Sequence, residues 1–170
     1  ARVFSPPAAR ADDPRPAVVV AHGFAGSQQL MEPFAVALAR NGYVAVTFDF
    51  LGHGRNPRPL TGDVTAVEGA TRALVRETGK VADYAAALPE TDGRLAVLGH
   101  SMASDIVVRV AKERADVEAT IAVSMFSPAV TATAPPNLLV IVGAWEGALI
   151  EEAIRAVGLA TQEPPEPGVT

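Results

Sequence analysis

A serine among small residues, in the segment GHSMA at residues 99–103, is the strongest chemical signal in the chain. The apolar run 94–98 before this segment predicts a short buried strand, and residues 106–111 after it predict a helix. On such a tight strand-to-helix turn the serine hydroxyl stands clear of the backbone, and the following amide points at the oxyanion formed when the hydroxyl attacks a carbonyl. The segment therefore predicts nucleophilic chemistry at Ser101. Two features count against it: Ala103 stands where the motif usually has glycine, and a serine before a helix also serves as an N-cap.

Two further glycine-containing turns follow apolar segments earlier in the chain. Residues 17–21 read AVVVA and lead into HGFAG at 22–26, whereas residues 43–48 read YVAVTF and lead into DFLGHGRN at 49–56. Short, β-branched apolar segments of this kind are typical of buried strands. We expect the turns to lie at the strand ends that border Ser101.

With these three turns in this order, the chain resembles the α/β-hydrolases. That family has a His-Gly turn after one strand, an Asp-x-x-Gly-His-Gly loop after the next and a Gly-His-Ser-Met-Gly elbow after a later one. The resemblance runs from the region of Val3 to that of Val157. It implies an α/β fold, with a mainly parallel sheet of about five strands and helices on both faces in a three-layer sandwich.

The resemblance also implies an activity and the residues for it. It implies a serine hydrolase of the carboxylic-ester type, with a core like that of dienelactone hydrolase, acting on a small-molecule acyl substrate without a metal or an organic cofactor. Ser101 is the nucleophile in this scheme, and the backbone amides of Phe24 and Met102 form the oxyanion hole. Glu146 follows the predicted strand 138–142, where the family places its acid. The alternative role of Glu146 is that of an acidic residue in the first turn of a helix.

The histidines decide how far this interpretation extends, because the serine needs a base and the family uses a histidine after the last strand. The sequence has three histidines, and none follows Glu146. His22 belongs to the first turn, His53 to the second and His100 to the elbow, where we expect its ring to project away from Ser101. His53 is the alternative base, although its position in the family is usually structural.

Two explanations compete for the missing histidine. Residues 1–170 form a single α/β-hydrolase-like domain that is incomplete, without its opening strands and without the last strand and its histidine, or the chain is a natural, degenerate member that binds a ligand without turning it over. Truncation at both ends favours the first explanation, since it needs one cause rather than two. Asp49 is expected to have a structural role, holding the loop 52–54 through backbone hydrogen bonds.

Composition argues against several other classes of protein. At 170 residues, of which 49% are hydrophobic, the chain fits one domain with a buried core. A net charge of −5 argues against nucleic acid or an anionic membrane surface as a partner. The chain has no cysteine for a disulfide framework or a thiolate metal site, and no apolar run of the roughly 18 residues that a membrane span needs. The oligomeric state and the compartment stay open, with the cytoplasm as the default expectation.

The remaining elements follow from apolar periodicity. We predict a helix over 28–40 with Ser27 as its N-cap, a long helix over 65–88, a strand over 120–125 and a helix over 147–157. In the first of these helices the predicted buried face consists of Leu30, Phe34, Ala37 and Leu38. Strands that alternate with helices predict right-handed crossovers and a parallel sheet.

Overall fold

The computed structural model of the chain describes residues 1–62, 70–125, 135 and 137–147. Within these ranges the regular elements alternate between strands and helices. In chain order they are β1 (Arg2–Phe4), β2 (Arg15–Ala21), a 3-10 turn (Gln28–Met31), α1 (Glu32–Arg40), β3 (Val44–Thr47), α2 (Ala70–Ala86), β4 (Thr91–His100), α3 (Met102–Glu113), β5 (Val117–Val123) and β6 (Leu138–Ile141).

The strands form one sheet in the order β1-β3-β2-β4-β5-β6. All neighbouring pairs are parallel except β1 and β3, which run antiparallel. The predicted mainly parallel sheet is confirmed. The short strand β1, expected from Val3 and Phe4 as the tail of an incoming strand, adds an antiparallel edge to it.

Helices cover both faces of the sheet, which explains why the central strands β2 and β4 are apolar at consecutive positions, 17–21 and 95–98. Alternate residues of a strand point to opposite faces, so β2 contributes to two separate cores. The 3-10 turn and α1 cover one face, whose buried members include Val18, Val20, Ala45, Met31 and Ala35. Helices α2 and α3 cover the other face, whose buried members include Val19, Val46, Val97, Leu74 and Ile106. The predicted three-layer arrangement is therefore confirmed.

The turn from β4 into α3 is the tightest packing point of the fold. A Cβ atom added at Gly99 would overlap the carbonyl group of Ala103 and would lie 2.9 Å from the amide nitrogen of Ser104. A real side chain cannot occupy that space, so strand and helix approach this closely only with glycine at position 99. Ala103 stands where the motif usually has glycine, and its methyl group is fully buried in the core.

The helix predicted over 28–40 is divided in two, and this prediction was wrong in its start. Residues 28–31 form a 3-10 turn and α1 begins at Glu32, because Pro33 has no N–H to donate to the carbonyl of Gln29. A proline in the first helical turn needs no such bond, so α1 begins there. Ser27 makes no capping hydrogen bond with its side chain.

The break also changes which residues of this segment are buried. Met31 and Ala35 lie in the core, whereas Leu30 is 67% exposed and Ala37 is also exposed. Phe34 and Leu38 are half-buried against the same core. The predicted face was therefore wrong at two of its four positions, because the 3-10 turn rotates Leu30 away from the sheet.

Other element boundaries differ less from the predictions. Strand β4 begins at Thr91, earlier than expected, and β5 covers 117–123 instead of 120–125. Helix α2 covers Ala70–Ala86 of the predicted 65–88, and the predicted helix over 147–157 lies almost wholly outside the described residues. In the part of the chain that the structure describes, no helix is long and apolar enough to cross a membrane.

The close approach at Gly99 predicts an unequal response of two glycines to the same substitution. Gly99→Ala should lower the free energy of unfolding by about 3 kcal/mol, because the new methyl group forces the β4–α3 turn apart. Gly79→Ala in α2 is the matched control, since a Cβ there meets no atom within 4 Å. That variant should gain about 0.5–1 kcal/mol from improved helix propensity. Denaturant unfolding measures both, and a Gly99→Ala protein as stable as the unsubstituted one would contradict the packing.

Candidate active site

Ser101 stands between β4 and α3 in a backbone conformation that serine rarely adopts. Its φ is +54° and its ψ is −118°. Left-handed backbone costs a non-glycine residue of order 1–3 kcal/mol and persists only where the surrounding structure imposes it. Here the Ser101 N–H donates to the carbonyl of Val123 at 2.9 Å, which ties the turn to the end of β5. This is the geometry of a serine lifted out of a strand-to-helix turn.

The alternative role of Ser101, as a helix cap, would require a hydrogen bond between its side chain and the start of α3. Ser101 occupies the N-cap position of α3, but its side chain makes no capping hydrogen bond. The first turn of the helix is closed instead by Ser104, whose N–H and hydroxyl both donate to the carbonyl oxygen of Ser101, at 2.9 Å and 2.5 Å. The Ser101 hydroxyl is therefore not used to satisfy the start of α3.

The His-Gly turn after β2 passes directly against the elbow. A Cβ atom at Gly23 would lie 3.1 Å from Cβ of Ser101 and 3.2 Å from Nδ1 of His100. Phe24, the next residue, borders the same cleft as Ser101. Met102 follows Ser101 as the first residue of α3. The structure thus brings the elbow and the predicted oxyanion turn together, and the roles of the Phe24 and Met102 amides stay predictions.

His22 is held in one tautomer by two backbone groups. Its Nε2 accepts a hydrogen bond from the Phe50 N–H at 3.1 Å, so Nε2 carries no proton. The ring proton is therefore on Nδ1, which lies 2.7 Å from the carbonyl oxygen of Gly23 and donates to it. Burial lowers the pKa of His22, in agreement with a neutral ring. With both nitrogens engaged, His22 shapes the turn and has none left to accept a proton from serine.

His53 is buried behind Phe24. Its Nδ1 lies 2.8 Å from the carbonyl oxygen of Leu51, and its ring contacts those of Phe24 and His22 at centroid distances of 5.6 Å and 5.3 Å. His53 does not line the cleft that contains Ser101. The structure therefore does not bring this alternative base to the serine.

His100 borders the same cleft as Ser101, and its Nδ1 lies beside the Gly23 turn. It is also close enough to Glu146 to lower the pKa of that carboxyl group. The expectation that its ring projects away from Ser101 stays a prediction.

Asp49 connects the second turn to the segment after the first. Its carboxylate accepts hydrogen bonds from the N–H and the side-chain amide of Gln28, at 2.7 Å and 2.9 Å, and from the N–H of Arg55 at 3.0 Å. Burial opposes the charge, but these hydrogen bonds outweigh it and hold the pKa of Asp49 below its usual value. The loop also folds onto the carboxylate at Gly54, where an added Cβ would overlap it. Gln28 was not identified from the sequence, because its partner lies 21 residues away.

Glu77 of α2 holds the same loop from the opposite side. Its carboxylate accepts from the N–H of Leu51 at 2.9 Å and from the side-chain amide of Asn56 at 3.1 Å. Burial raises the pKa of Glu77. The sequence analysis missed this residue, although a signal exists: Glu77 shares a helix face with buried Leu74 and lies beside buried Thr78.

Glu146 lies in the turn after β6. Its carboxylate accepts hydrogen bonds from the N–H of Gly143 and from the side chain of Ser124. These two bonds, together with the nearby His100, lower the pKa of Glu146, so it is ionised at neutral pH. Ser124, at the end of β5, has a φ of +50° and was not identified from the sequence. Among the described residues, no group of three or more potential ligands could hold a metal ion.

The role of Asp49 predicts a pH-dependent loss of stability. Asp49→Asn replaces an acceptor with a side chain whose NH₂ faces donors, so it should cost about 2–4 kcal/mol at neutral pH. The Asp49 pKa is lowered on folding, so its contribution is complete above about pH 4 and disappears as the pH falls through the folded-state value. The difference in unfolding free energy between Asp49→Asn and the unsubstituted protein should therefore become smaller in acid.

Denaturant unfolding across the acidic range measures this difference. Asp83→Asn is the matched control, because the Asp83 side chain is 67% exposed and its surface pair with Arg114 is worth at most about 1 kcal/mol. A constant difference between Asp49→Asn and the unsubstituted protein from neutral pH to strong acid would contradict the role assigned to Asp49.

Solved structures of several hydrolases share this architecture. The acetyl xylan esterase from Paenibacillus sp. R4 matches with a TM-score of 0.61 and 18% identity, over 73% of this chain and 43% of that one. The ferulic acid esterase from Streptomyces cinnamoneus matches with 0.58 and 23%, over 84% and 48%. The thioesterase domain from the curacin biosynthetic pathway matches with 0.55 and 21%, over 75% and 42%. The chain thus spans less than half the length of each, and such identities show the fold alone.

The family comparison covers most of the chain. No curated protein sequence gives a significant match. The family model described as serine aminopeptidase, S33, matches residues 12–161, a range that contains both glycine-containing turns, the elbow at Ser101 and Glu146. The chain therefore belongs to the serine aminopeptidase S33 family of α/β-hydrolases.

Proposed function

We propose that this chain carries the nucleophile, the oxyanion hole and the acid of a serine hydrolase that acts on an ester or a similar acyl compound. The observation that carries the proposal is the Ser101 backbone, strained into the left-handed region and facing a cleft, with the side chain not used as a helix cap. Strain of this kind is found where function requires it. Family membership supports the same class of chemistry.

The proposed reaction proceeds through an acyl-enzyme. Ser101 Oγ attacks the substrate carbonyl carbon while a base takes its proton, and the resulting oxyanion accepts hydrogen bonds from the amides of Phe24 and Met102. The carbonyl reforms as the bond to the leaving alcohol breaks, and the base returns the proton to that alcohol. Water then attacks the acyl group by the same route, which releases the carboxylic acid and restores the serine.

The base is the part that His22 and His53 do not supply, which leaves His100, at the border of the cleft, as the alternative to a histidine outside these residues. His22 has both ring nitrogens engaged, and His53 lies behind Phe24. We assign the base to a histidine outside these 170 residues, with Glu146 to orient it and to stabilise its protonated form. The ionised state of Glu146 and its position close to the elbow residue His100 support this role.

A binding domain without turnover is the second candidate. The observation that favours it is the engagement of His22 and the burial of His53, which leave only His100, the residue before Ser101, as a candidate base among the described residues. Both candidates use the same cleft, so only measurement of turnover separates them.

Hydrolysis of activated esters tests the proposal. The 170-residue chain should hydrolyse them weakly, with at most about 10³-fold acceleration over water from binding and the oxyanion hole alone. A longer form of the protein that contains a downstream histidine should be faster by several orders of magnitude. Ser101→Ala and Glu146→Gln should each remove most of that gain. Ser27→Ala is the matched serine control, since its side chain makes no capping bond.

Two results would contradict parts of this account. Equal rates for the long form and its Ser101→Ala variant would exclude the serine as nucleophile and favour the binding domain. Rapid turnover by the 170-residue chain would place the base inside it, and separate His53→Ala and His100→Ala variants would then show which ring accepts the proton.

A further inference from the structure

The cleft beside Ser101 has a composition that selects among acyl groups. It has a volume of about 290 Å³ and opens between the His-Gly turn and the segment that begins α1. Among the described residues its side-chain walls come mainly from Phe24, Leu30, Met31 and Phe34, with His100 and Ser101 as polar members and glycine backbone completing them. Met31 is buried, whereas Phe24 and Leu30 are 62% and 67% exposed at the surface.

The size of the cleft limits what it can hold. Pockets for small molecules usually measure about 300–1,000 Å³, so this one lies at the lower end. Such a volume suits one aromatic ring or a short aliphatic chain. Its apolar walls favour a group that gives up little hydration on entry.

Carboxylates near the cleft are already engaged by other groups. Asp49 accepts three hydrogen bonds from protein donors, and Glu146 accepts from Gly143 and Ser124. Glu32, next to Met31 in the chain, is paired with Arg2. None of the three carboxylates lines the cleft. Among the residues that the structure describes, none of these carboxylates is available to a cationic group placed there, which would lose water without gaining an opposite charge.

We propose that this cleft binds the acyl part of the substrate and selects an uncharged, apolar group of that size over one with a free α-ammonium. The inference rests on the proposed function only in so far as it calls the bound group an acyl group. The selectivity between uncharged and charged groups follows from the cleft alone. It distinguishes this chain from the description of its family, because the acyl group that an aminopeptidase transfers carries a free amino terminus. Leu30 lines the exposed part of the cleft, so a charged side chain at this position would change the preference.

Binding measured without turnover tests this selectivity. The chain contains three methionines: Met31 lines the cleft, Met102 follows the nucleophile, and Met125 is buried beneath β5 and β6. NMR of isotope-labelled methionine methyl groups therefore reports the cleft, the elbow and an internal control separately. The probes are 3-phenylpropionamide and phenylalaninamide, which differ only in the α-ammonium when the pH is below about 7.

We expect 3-phenylpropionamide to shift the Met31 signal and leave Met125 unchanged. Phenylalaninamide should bind at least about tenfold more weakly, because its ammonium is desolvated without a partner. Leu30→Asp should narrow this difference by up to about fivefold, because it adds an exposed carboxylate beside the cleft. Leu139→Asp is the matched control: Leu139 is 53% exposed on β6, away from the cleft, so this variant should keep the original preference.

The outcomes separate this inference from the proposed function. Equal affinity for the two amides, or no Met31 response to either, overturns the inference whatever the hydrolytic activity. An unchanged preference in Leu30→Asp overturns the role of Leu30. Selective binding by a long form that never hydrolyses esters would leave the inference standing and refute the proposed function alone.

Discussion

The close approach of backbone at the end of β4 is the constraint on which the candidate site depends. Gly99 packs against the Ala103 carbonyl at a distance that excludes a side chain, and Gly23 packs tightly against Ser101. This packing forces Ser101 into its left-handed conformation and brings the His-Gly turn beside it. The unfavourable backbone geometry of one serine is thus sustained by the burial of two apolar cores around a parallel sheet.

Buried polar side chains at the strand ends also stabilise the site. The turns after β2 and β3 leave backbone donors and acceptors without partners in the sheet, and buried groups of this kind need hydrogen bonds. His22 supplies an acceptor to Phe50 and a donor to Gly23, while Asp49 and Glu77 accept from the loop that follows β3. None of these three side chains lines the cleft that contains Ser101. They hold Phe24 and the walls of the cleft in place.

Glu146 and two of the three histidines, His22 and His53, have separate surroundings. Glu146 is ionised and lies within electrostatic reach of His100, at the side of the elbow formed by β5 and β6. His22 and His53 lie on the other side, among Phe24 and Phe50, where their hydrogen bonds are to backbone groups. A carboxylate therefore lies within electrostatic reach of the residue before Ser101, and a mainly apolar cleft borders the serine itself.

Sequence alone was sufficient for the fold class, the core strands and the three turns, because each depends on local signals: short apolar segments, glycines and their order. It also predicted Ser101 and Glu146 as the residues for chemistry, and these roles stay predictions. The start of α1, the exposure of Leu30 and the position of His100 required the tertiary structure, since they follow from how segments pack rather than from periodicity. Gln28 and Ser124 could not be identified either. The partner of Gln28 lies 21 residues away and that of Ser124 lies after the neighbouring strand, and no local pattern records such contacts.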